Sequence, residues 1–346
     1  MGSKTLEQTL DYLWSKQFPF VLFRYPESNK VNCFYQLDDR LHETESLDID
    51  GFILAAFQSQ DATPFIPATH QVSFENPITK IERQEESHLS ENLFREPFVT
   101  LVKKAKDAIA NEGLKKIVVS RAVVFQKETY PCTLFTNLLS LYPAAMISFW
   151  HHPKVGTWLG ATPERLVSLE HGTLKTMALA GTQVFSEGES PQWTAKENEE
   201  QQLVTDQLKT DLEKCYPNTA ITISKPFTKK AGNLLHLCTD FELKSDQVAL
   251  KPLLETIHPT PAVGGIPKDK ATAFLIENEN YKRRFYAGYL GRIEPNTTQL
   301  FVNLRCAQWN KKTLTLYVGA GITASSIPEK EWEETERKAE TFLNAL

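Results

Sequence analysis

Residues 156–182 read GTWLGATPERLVSLEHGTLKTMALAGT, and this stretch decides the fold of the chain. Short apolar runs alternate in it with turn-forming residues, which is the pattern of a strand, a turn and a hairpin. Strands joined by such short connections run antiparallel, because a parallel pair needs a crossover of a dozen or more residues. The stretch therefore predicts antiparallel β structure.

The flanking sequence extends this pattern in both directions. Apolar runs predict strands at FVLFRY, FILAAFQ, KKIVVSRAVVF, MISFWHH, ITISKPFTKK and LLHLCTDFEL, and a hairpin at QLFVNLRCAQW and TLTLYVGAGITA. Amphipathic spacing predicts helices over residues 5–16 and 94–110, in the acidic segment AKENEEQQLV, and from about Pro328 onward. Antiparallel strands with inserted helices predict an α+β fold, in which large antiparallel sheets are packed against outer helices.

The composition restricts the class of protein. A chain of 346 residues suffices for one large domain or two average ones. A net charge of −5, with lysines and arginines scattered along the chain, argues against a nucleic-acid partner. The apolar runs fall far short of the roughly 20 residues that span a bilayer. The first residues lack the order of a secretory signal, basic and then apolar. We expect a cytoplasmic protein without nucleic-acid or membrane partners.

The cysteines agree with this expectation. They are odd in number, widely spaced and without a C-x-x-C pair: Cys33, Cys132, Cys215, Cys238 and Cys306. This usage argues against both a disulfide framework and a structural zinc site.

Two acidic stretches each place a pair of carboxylates three residues apart. The pairs are Glu197 and Glu200 in AKENEEQQLV, and Glu331 and Glu334 in PEKEWEETERK. On a helix, this spacing puts each pair on one face, about one turn apart. Two such faces brought together would offer oxygen ligands to a hard divalent cation. Two solvated helix faces are the ordinary alternative, since exposed acidic residues are common on helices.

Ten short strings occur in order between residues 115 and 343: KKIVVSRA, GATPERL, TMALAGT, KENEEQQLV, LLHL, HPTPAVGGIP, RRFYAGYLG, LRCA, YVGAGI and EKEWEETERKAETFL. Together they resemble the chorismate-utilising enzymes, which include isochorismate synthase, salicylate synthase, anthranilate synthase component I and aminodeoxychorismate synthase. The resemblance implies the fold of that family and chorismate as the small-molecule substrate. Residues 1–90 carry none of the strings. We therefore expect a single chorismate-binding domain over residues 1–346, in which an irregular α/β lead-in (1–90) packs on a catalytic core (91–346).

The resemblance implies catalytic roles for two residues. Lys116 matches the family lysine that acts as general base and activates water for attack at C2, and Glu164 matches the glutamate that protonates the departing C4 oxygen. Along a strand Lys115 and Lys116 point to opposite faces, so only one of them can face a site. To act as an acid at neutral pH, Glu164 needs a raised pKa.

The resemblance also implies that the two acidic pairs form a Mg²⁺ site. Glu200 and Glu334 align with the two glutamates that usually hold Mg²⁺ in the family elements K-E-x-x-E-H and E-W-x-E-T-x-x-K. Glu197 and Glu331 are then expected to complete or support the ligand shell, since Mg²⁺ keeps several waters and recruits few carboxylates. Lys338 follows Glu334 by one helical turn and is expected to balance its charge.

Further residues resemble the substrate-binding groups of the family. Arg305 and Tyr286 match residues that bind the enolpyruvyl carboxylate, beside backbone N–H groups of a predicted turn at residues 319–321. The expected substrate-binding set is Thr182, His258, Ala262, Tyr286, Arg305, Gly319, Gly321 and Lys338. Gln201 departs from the family pattern, in which a histidine is common. Glutamine can form hydrogen bonds but cannot titrate.

Single residues discriminate among the reactions of the family. Aminodeoxychorismate synthases carry a nucleophilic lysine in a P-I-K-G-T element, where residues 178–182 of this chain read ALAGT. The HPTPA sequence at residues 258–262 resembles isochorismate synthases and differs from the anthranilate synthase element. Ala262 stands where salicylate synthases tend to have threonine.

We therefore expect an isochorismate synthase, an isomerase that uses water as nucleophile and feeds menaquinone or catechol siderophore biosynthesis. Salicylate synthase, anthranilate synthase component I and a non-catalytic chorismate-binding paralogue remain the alternatives. The sequence contains no Cys-His-Glu amidotransferase module, and we expect no obligatory amidotransferase partner.

Overall fold

The computed structural model describes residues 5–58, 62–76, 95–126, 130–188, 190–245 and 248–346. The boundary predicted near residue 90 lies outside these ranges. Among the described residues, no helix has both the length and the apolar character that crossing a membrane requires.

The helices are α1 (Leu6–Ser15), α2 (Arg95–Asn111), α3 (Pro131–Leu141), α4 (Ala195–Cys215), α5 (Leu250–Ile257), α6 (Lys268–Asn278) and α7 (Pro328–Leu343). The first ten strands are β1 (Phe20–Arg24), β2 (Lys30–Tyr35), β3 (His42–Thr44), β4 (Gly51–Ala55), β5 (Thr63–Pro67), β6 (Gln71–Glu75), β7 (Lys116–Gln126), β8 (Met146–His152), β9 (Gly156–Thr162) and β10 (Arg165–Glu170). The remaining strands are β11 (Thr173–Val184), β12 (Ile221–Ile223), β13 (Phe227–Ala231), β14 (Leu234–Lys244), β15 (Gly265–Ile266), β16 (Tyr289–Glu294), β17 (Thr297–Val302), β18 (Cys306–Asn310) and β19 (Thr313–Ile322).

The strands form two large antiparallel sheets. One sheet has the order β15-β7-β19-β18-β9-β8-β1-β2-β6, and the other has the order β12-β14-β11-β10-β17-β16-β4-β5-β3, with β13 paired to β14. The N-terminal strands belong to both sheets, since β1, β2 and β6 extend the first and β3, β4 and β5 extend the second. The predicted α+β fold with large antiparallel sheets and packed helices is confirmed.

Alternating side chains of single strands build the two main layers of the core. In β1, Val21 and Phe23 belong to the cluster between the sheets, whereas Phe20 and Leu22 belong to the cluster beneath α1 and α3. Because successive side chains point to opposite faces, a strand covered on both faces has an unbroken apolar sequence. Full burial of one such side chain contributes about 1.5–3 kcal/mol. The FVLF and MISFW runs thus mark strands covered on both sides.

The predicted strand QLFVNLRCAQW is wrong as one strand, because the chain divides it between the two sheets. Residues up to Val302 lie in β17 of the second sheet, and residues from Cys306 lie in β18 of the first. In the crossing, the Asn303 side chain donates to the Phe285 carbonyl at 2.9 Å, and Arg305 has a left-handed backbone with φ of 45°. The crossing places Arg305 between the sheets.

Candidate functional site

One pocket between the two sheets gathers most of the predicted residues. Strands β11 and β14 of the second sheet, β19 of the first, helices α4 and α7 and the loop of residues 258–264 contribute to its wall. The predicted residues that line it are Glu164, Thr182, Glu200, Ala262, Tyr286, Arg305, Gly319, Gly321, Glu334 and Lys338.

Lys116 lies beside this pocket at the start of β7. Its side chain is fully buried, and its Nζ lies 2.9 Å from Glu200 Oε1, although without the geometry of a hydrogen bond. Lys115 is exposed. The prediction that only one of the two lysines faces inward is confirmed, because neighbouring side chains of a strand point in opposite directions.

Glu164 lies in the connection between β9 and β10, directly after Pro163. Its side chain is only 2 % exposed, and its carbonyl accepts a hydrogen bond from Val302 N at 3.0 Å. Burial raises the pKa of Glu164 to about 7, although the nearby ammonium groups of Lys116 and Lys229 act in the opposite direction. A carboxyl group with this pKa carries a proton about half of the time at neutral pH, as a general acid requires.

Two of the three glutamates that line the pocket are paired with lysines. Glu200 is paired with Lys116, and Glu334 accepts a hydrogen bond from Lys338 Nζ at 2.7 Å. Burial alone would raise the pKa of Glu334, but the charge and hydrogen bond of Lys338 hold it below its ordinary value. Glu334 is therefore ionised at neutral pH. The predicted proximity of Lys338 to Glu334 is confirmed.

The other two glutamates of the predicted metal set are not among the residues that line this pocket. Glu197 accepts hydrogen bonds from the backbone N–H of Thr194, at 2.9 Å, and from its hydroxyl, as part of a capping box that begins α4. Glu331 is 1 % exposed and pairs with Lys196 Nζ at 2.5 Å. Burial, and then the charge of Glu334, raise the pKa of Glu331.

The residues present fit a cation that takes few protein ligands. Within the described ranges no group of three His, Cys, Asp or Glu side chains converges on a point. Glu200 and Glu334 nevertheless line one pocket from two different helices. A Cβ on Gly321 would lie only 2.3 Å from Glu200 Oε1, so the strand makes room for this carboxylate. Two carboxylates, supplemented by waters and substrate oxygens, suit Mg²⁺.

A buried hydrogen-bond chain orients Arg305. The Arg305 guanidinium donates to the Ala231 carbonyl at 3.0 Å and to His236 Nε2 at 2.6 Å, and His236 Nδ1 donates to the Gly181 carbonyl at 2.8 Å. Burial, reinforced by the charge of Arg305, holds the pKa of His236 well below its usual range. The imidazole is therefore neutral and can accept from arginine. His236 lies in the LLHL string, and the sequence alone predicted no role for it.

The glycines at residues 319 and 321 lie in a strand and not in a turn, so that part of the prediction is wrong. Both pair with β7 inside β19, Gly319 opposite Ser120 and Gly321 opposite Val118. A Cβ on Gly319 would lie 2.9 Å from the Tyr286 hydroxyl. Glycine is required here because other side chains approach the strand closely.

The remaining predicted positions divide between the pocket and its surroundings. Thr182 Oγ1 lies 3.5 Å from Glu334 Oε1, inside the pocket. His258 lines a second cavity, although Ala262 of the same loop lines the first. Gln201 is buried and donates from Nε2 to the Ala178 carbonyl at 3.1 Å, which ties α4 to β11.

Sequence comparison agrees with the motifs. The profile described as chorismate binding enzyme matches residues 55–346. Anthranilate synthase component 1 of Aquifex aeolicus is 28% identical over 267 residues, which cover 74% of this chain but only 54% of the relative. Isochorismate synthase MenF of Haemophilus influenzae is 28% identical over 310 residues, which cover 86% of this chain and 72% of the relative. The chain thus spans about half of the first relative's length and about three quarters of the second's.

Solved structures share the fold. The menaquinone-specific isochorismate synthase MenF from Escherichia coli has a TM-score of 0.79 at 21% identity, with 99% of this chain and 92% of that chain covered. Anthranilate synthase component I from Streptococcus pneumoniae has a TM-score of 0.71 at 18% identity, with 94% and 92% covered. Together with the profile match over most of the sequence, these similarities show that the chain belongs to the family of chorismate binding enzymes.

Proposed function

We propose that the protein is a Mg²⁺-dependent isochorismate synthase, which converts chorismate to isochorismate by attack of water at C2 and loss of the C4 hydroxyl. The observation that carries the proposal is that a buried amine, Lys116, lies beside the pocket lined by a buried carboxyl, Glu164, whose pKa is raised to about 7. Relatives named isochorismate synthase support it, among them the Haemophilus influenzae protein.

The two groups act on opposite ends of the displacement. In its neutral amine form, Lys116 takes a proton from the attacking water as the water oxygen bonds to C2, and the two conjugated ring double bonds shift towards C4. Glu164 gives its proton to the C4 oxygen as the C4–O bond breaks, so that the hydroxyl leaves as water. One water enters and one leaves, which makes the reaction an isomerisation. Lys116 then releases its extra proton to solvent and Glu164 takes one up, which restores both groups.

The charged groups of the wall suit a substrate with two carboxylates. Glu200 and Glu334 would hold Mg²⁺, which when bound supplies Lewis-acid stabilisation at the ring carboxylate. Arg305 offers a planar fork to the enolpyruvyl carboxylate, with Tyr286 and the N–H groups near Gly319 beside it. His236 keeps the fork in place, because it accepts one of the guanidinium N–H groups.

The pocket wall argues against the covalent route of aminodeoxychorismate synthases. Ala180, which lines the pocket at the position of their nucleophilic lysine, has no reactive atom. A protein that only binds chorismate needs neither a base nor an acid, so the retention of Lys116 and Glu164 argues against an inert paralogue. We further propose that the chain acts as a single chorismate-binding domain in the cytoplasm, without an obligatory amidotransferase partner, in menaquinone or catechol siderophore biosynthesis.

Product analysis tests the proposal. The purified protein is incubated with chorismate and Mg²⁺, without ammonia, and the products are separated by liquid chromatography. Isochorismate as the sole product is the expected result. Salicylate with pyruvate would assign the protein to the salicylate synthases, and anthranilate formed only after ammonia is added would assign it to the anthranilate synthases. Unchanged chorismate would support the non-catalytic alternative.

A further inference from the structure

A second cavity, of about 580 Å³, lies next to the loop of residues 258–264. His258 and Pro259 of this loop line the second cavity, whereas Ala262 and Val263 line the first pocket. The segment after β4 and the helices α5 and α6 supply most of the remaining wall. A volume of this size holds a small organic molecule. The proposed reaction uses no group in this cavity.

His258 is the unusual residue of the wall. The residue is 9 % exposed, and neither ring nitrogen forms a hydrogen bond in the part of the chain that the structure describes, although the backbone of Phe57 lies beside the ring. Burial, and then the charge of Lys268, lower the pKa of His258 to about 3, so the ring is neutral. A buried polar group without a partner destabilises the fold, and a ligand that hydrogen-bonds to it removes that cost.

The neighbouring basic group cannot serve as that partner. Lys268 Nζ already donates to the carbonyl groups of Glu255, Thr256 and His258, at 2.7, 3.1 and 3.2 Å. It therefore ties the end of α5 to the start of α6. The Phe57 backbone is within reach of one ring nitrogen, so the other ring nitrogen of His258 is left for an occupant of the cavity.

The rest of the wall indicates the chemistry of that occupant. Leu47 and Leu254 give it a buried apolar floor, and the Tyr289 ring meets the His258 ring edge to face, with centroids 4.9 Å apart. Apolar and aromatic walls of this kind suit a planar ring. The exposed carboxylates at the rim are Glu45, Glu255 and Asp269, against the exposed amine of Lys251 and the engaged amine of Lys268. This rim favours a cation over a dianion such as chorismate.

We propose that this cavity binds a small hydroxylated aromatic amine, whose ring lies on the apolar floor, whose hydroxyl contacts His258 and whose ammonium faces the acidic rim. A phenolic hydroxyl both donates and accepts, so it satisfies whichever ring nitrogen faces the cavity, independently of the histidine tautomer. The proposal concerns binding alone and stands whether or not the protein makes isochorismate.

Isothermal titration calorimetry with tyramine tests the proposal, and phenethylamine, which lacks the hydroxyl, is the matched control ligand. The expected result is 1:1 binding of tyramine with a Kd of about 1 mM or below. Loss of one hydrogen bond predicts weaker binding of phenethylamine by about three- to tenfold. His258→Phe keeps the aromatic volume but removes both nitrogens, so it is expected to weaken tyramine to the level of phenethylamine.

A second variant controls for misfolding of His258→Phe and for tyramine binding elsewhere on the protein. Ala273 is an exposed residue of α6 that lines the cavity, and in Ala273→Trp the indole would occupy the space without disturbing the core. This variant is expected to lose tyramine binding while chorismate turnover stays at the wild-type rate. Absence of binding up to about 5 mM tyramine, equal affinity for phenethylamine, or unchanged tyramine affinity in Ala273→Trp would each overturn the proposal.

Discussion

Replacement of the buried acid, Glu164→Gln, should remove activity and at the same time make the fold less sensitive to alkali. The pKa of Glu164 is raised from 4.5 to about 7 by burial. Between these values the folded protein retains a proton that the unfolded chain has lost, so the free energy of unfolding falls as the pH rises through this window. The whole shift corresponds to about 3 kcal/mol, at 1.36 kcal/mol per pH unit. Glutamine does not titrate, so the unfolding free energy of the variant lacks this pH dependence.

Urea unfolding, followed by tryptophan fluorescence, measures the effect at about pH 5 and about pH 8. The unfolding free energy of the variant minus that of the wild type should rise by about 2–3 kcal/mol from about pH 5 to about pH 8. A packing cost of the amide is the same at both pH values and therefore cancels. The control Glu170→Gln changes an exposed carboxylate of β10, and its difference in unfolding free energy from the wild type should be the same at both pH values. In activity assays, Glu164→Gln should lower kcat by about 10²–10⁴. A pH-independent stability difference would refute the buried, protonated carboxyl, and near-normal turnover would refute its role as the acid.

Three other substitutions probe the same pocket. Lys116→Gln should lower kcat by at least about a hundredfold. Its control, Lys115→Gln, changes a lysine on the exposed face and should keep the wild-type rate. Equal losses in the two variants would argue against Lys116 as the base. Gly321→Ala would place a methyl group 2.3 Å from Glu200 Oε1, so a Mg²⁺ titration of activity should show at least about tenfold weaker apparent affinity. Arg305→Lys loses the bidentate guanidinium and should raise KM for chorismate by about 10- to 100-fold, with a smaller change in kcat. An unchanged KM would show that Arg305 does not bind a substrate carboxylate.

Local sequence pattern was sufficient for most of the elements. The run MISFWHH coincides with β8, and the terminal helix begins at Pro328 as predicted. Alternation of side chains and proline at a helix start are short-range signals, which a single sequence contains in full. The failures lie where long-range packing decides. QLFVNLRCAQW reads as one strand, yet residues 303–305 cross between sheets, and the glycines at 319 and 321, which read as a turn, lie inside β19 because β7 and the Tyr286 side chain approach them.

The candidate site shows the same division. The motifs predicted that four residues lie at one site, since each belongs to a short recognisable string. In the structure these residues line one pocket: Glu164, Glu200, Glu334 and Arg305. No string revealed that Lys196 would pair with Glu331, because the two residues meet only when α4 and α7 pack together. Residue pairs this distant in sequence become neighbours through the tertiary fold alone.

The sequence by itself determined the types of the elements, the family and the side chains capable of acid, base and cation chemistry, because these depend on residue identity and local spacing. Only the tertiary structure decided how those side chains behave. It showed that Glu200 and Glu334 share a pocket while Glu197 caps a helix, and that burial brings the pKa of Glu164 to about 7. Desolvation and Coulomb interaction depend on what surrounds a group, and those surroundings come from distant parts of the chain.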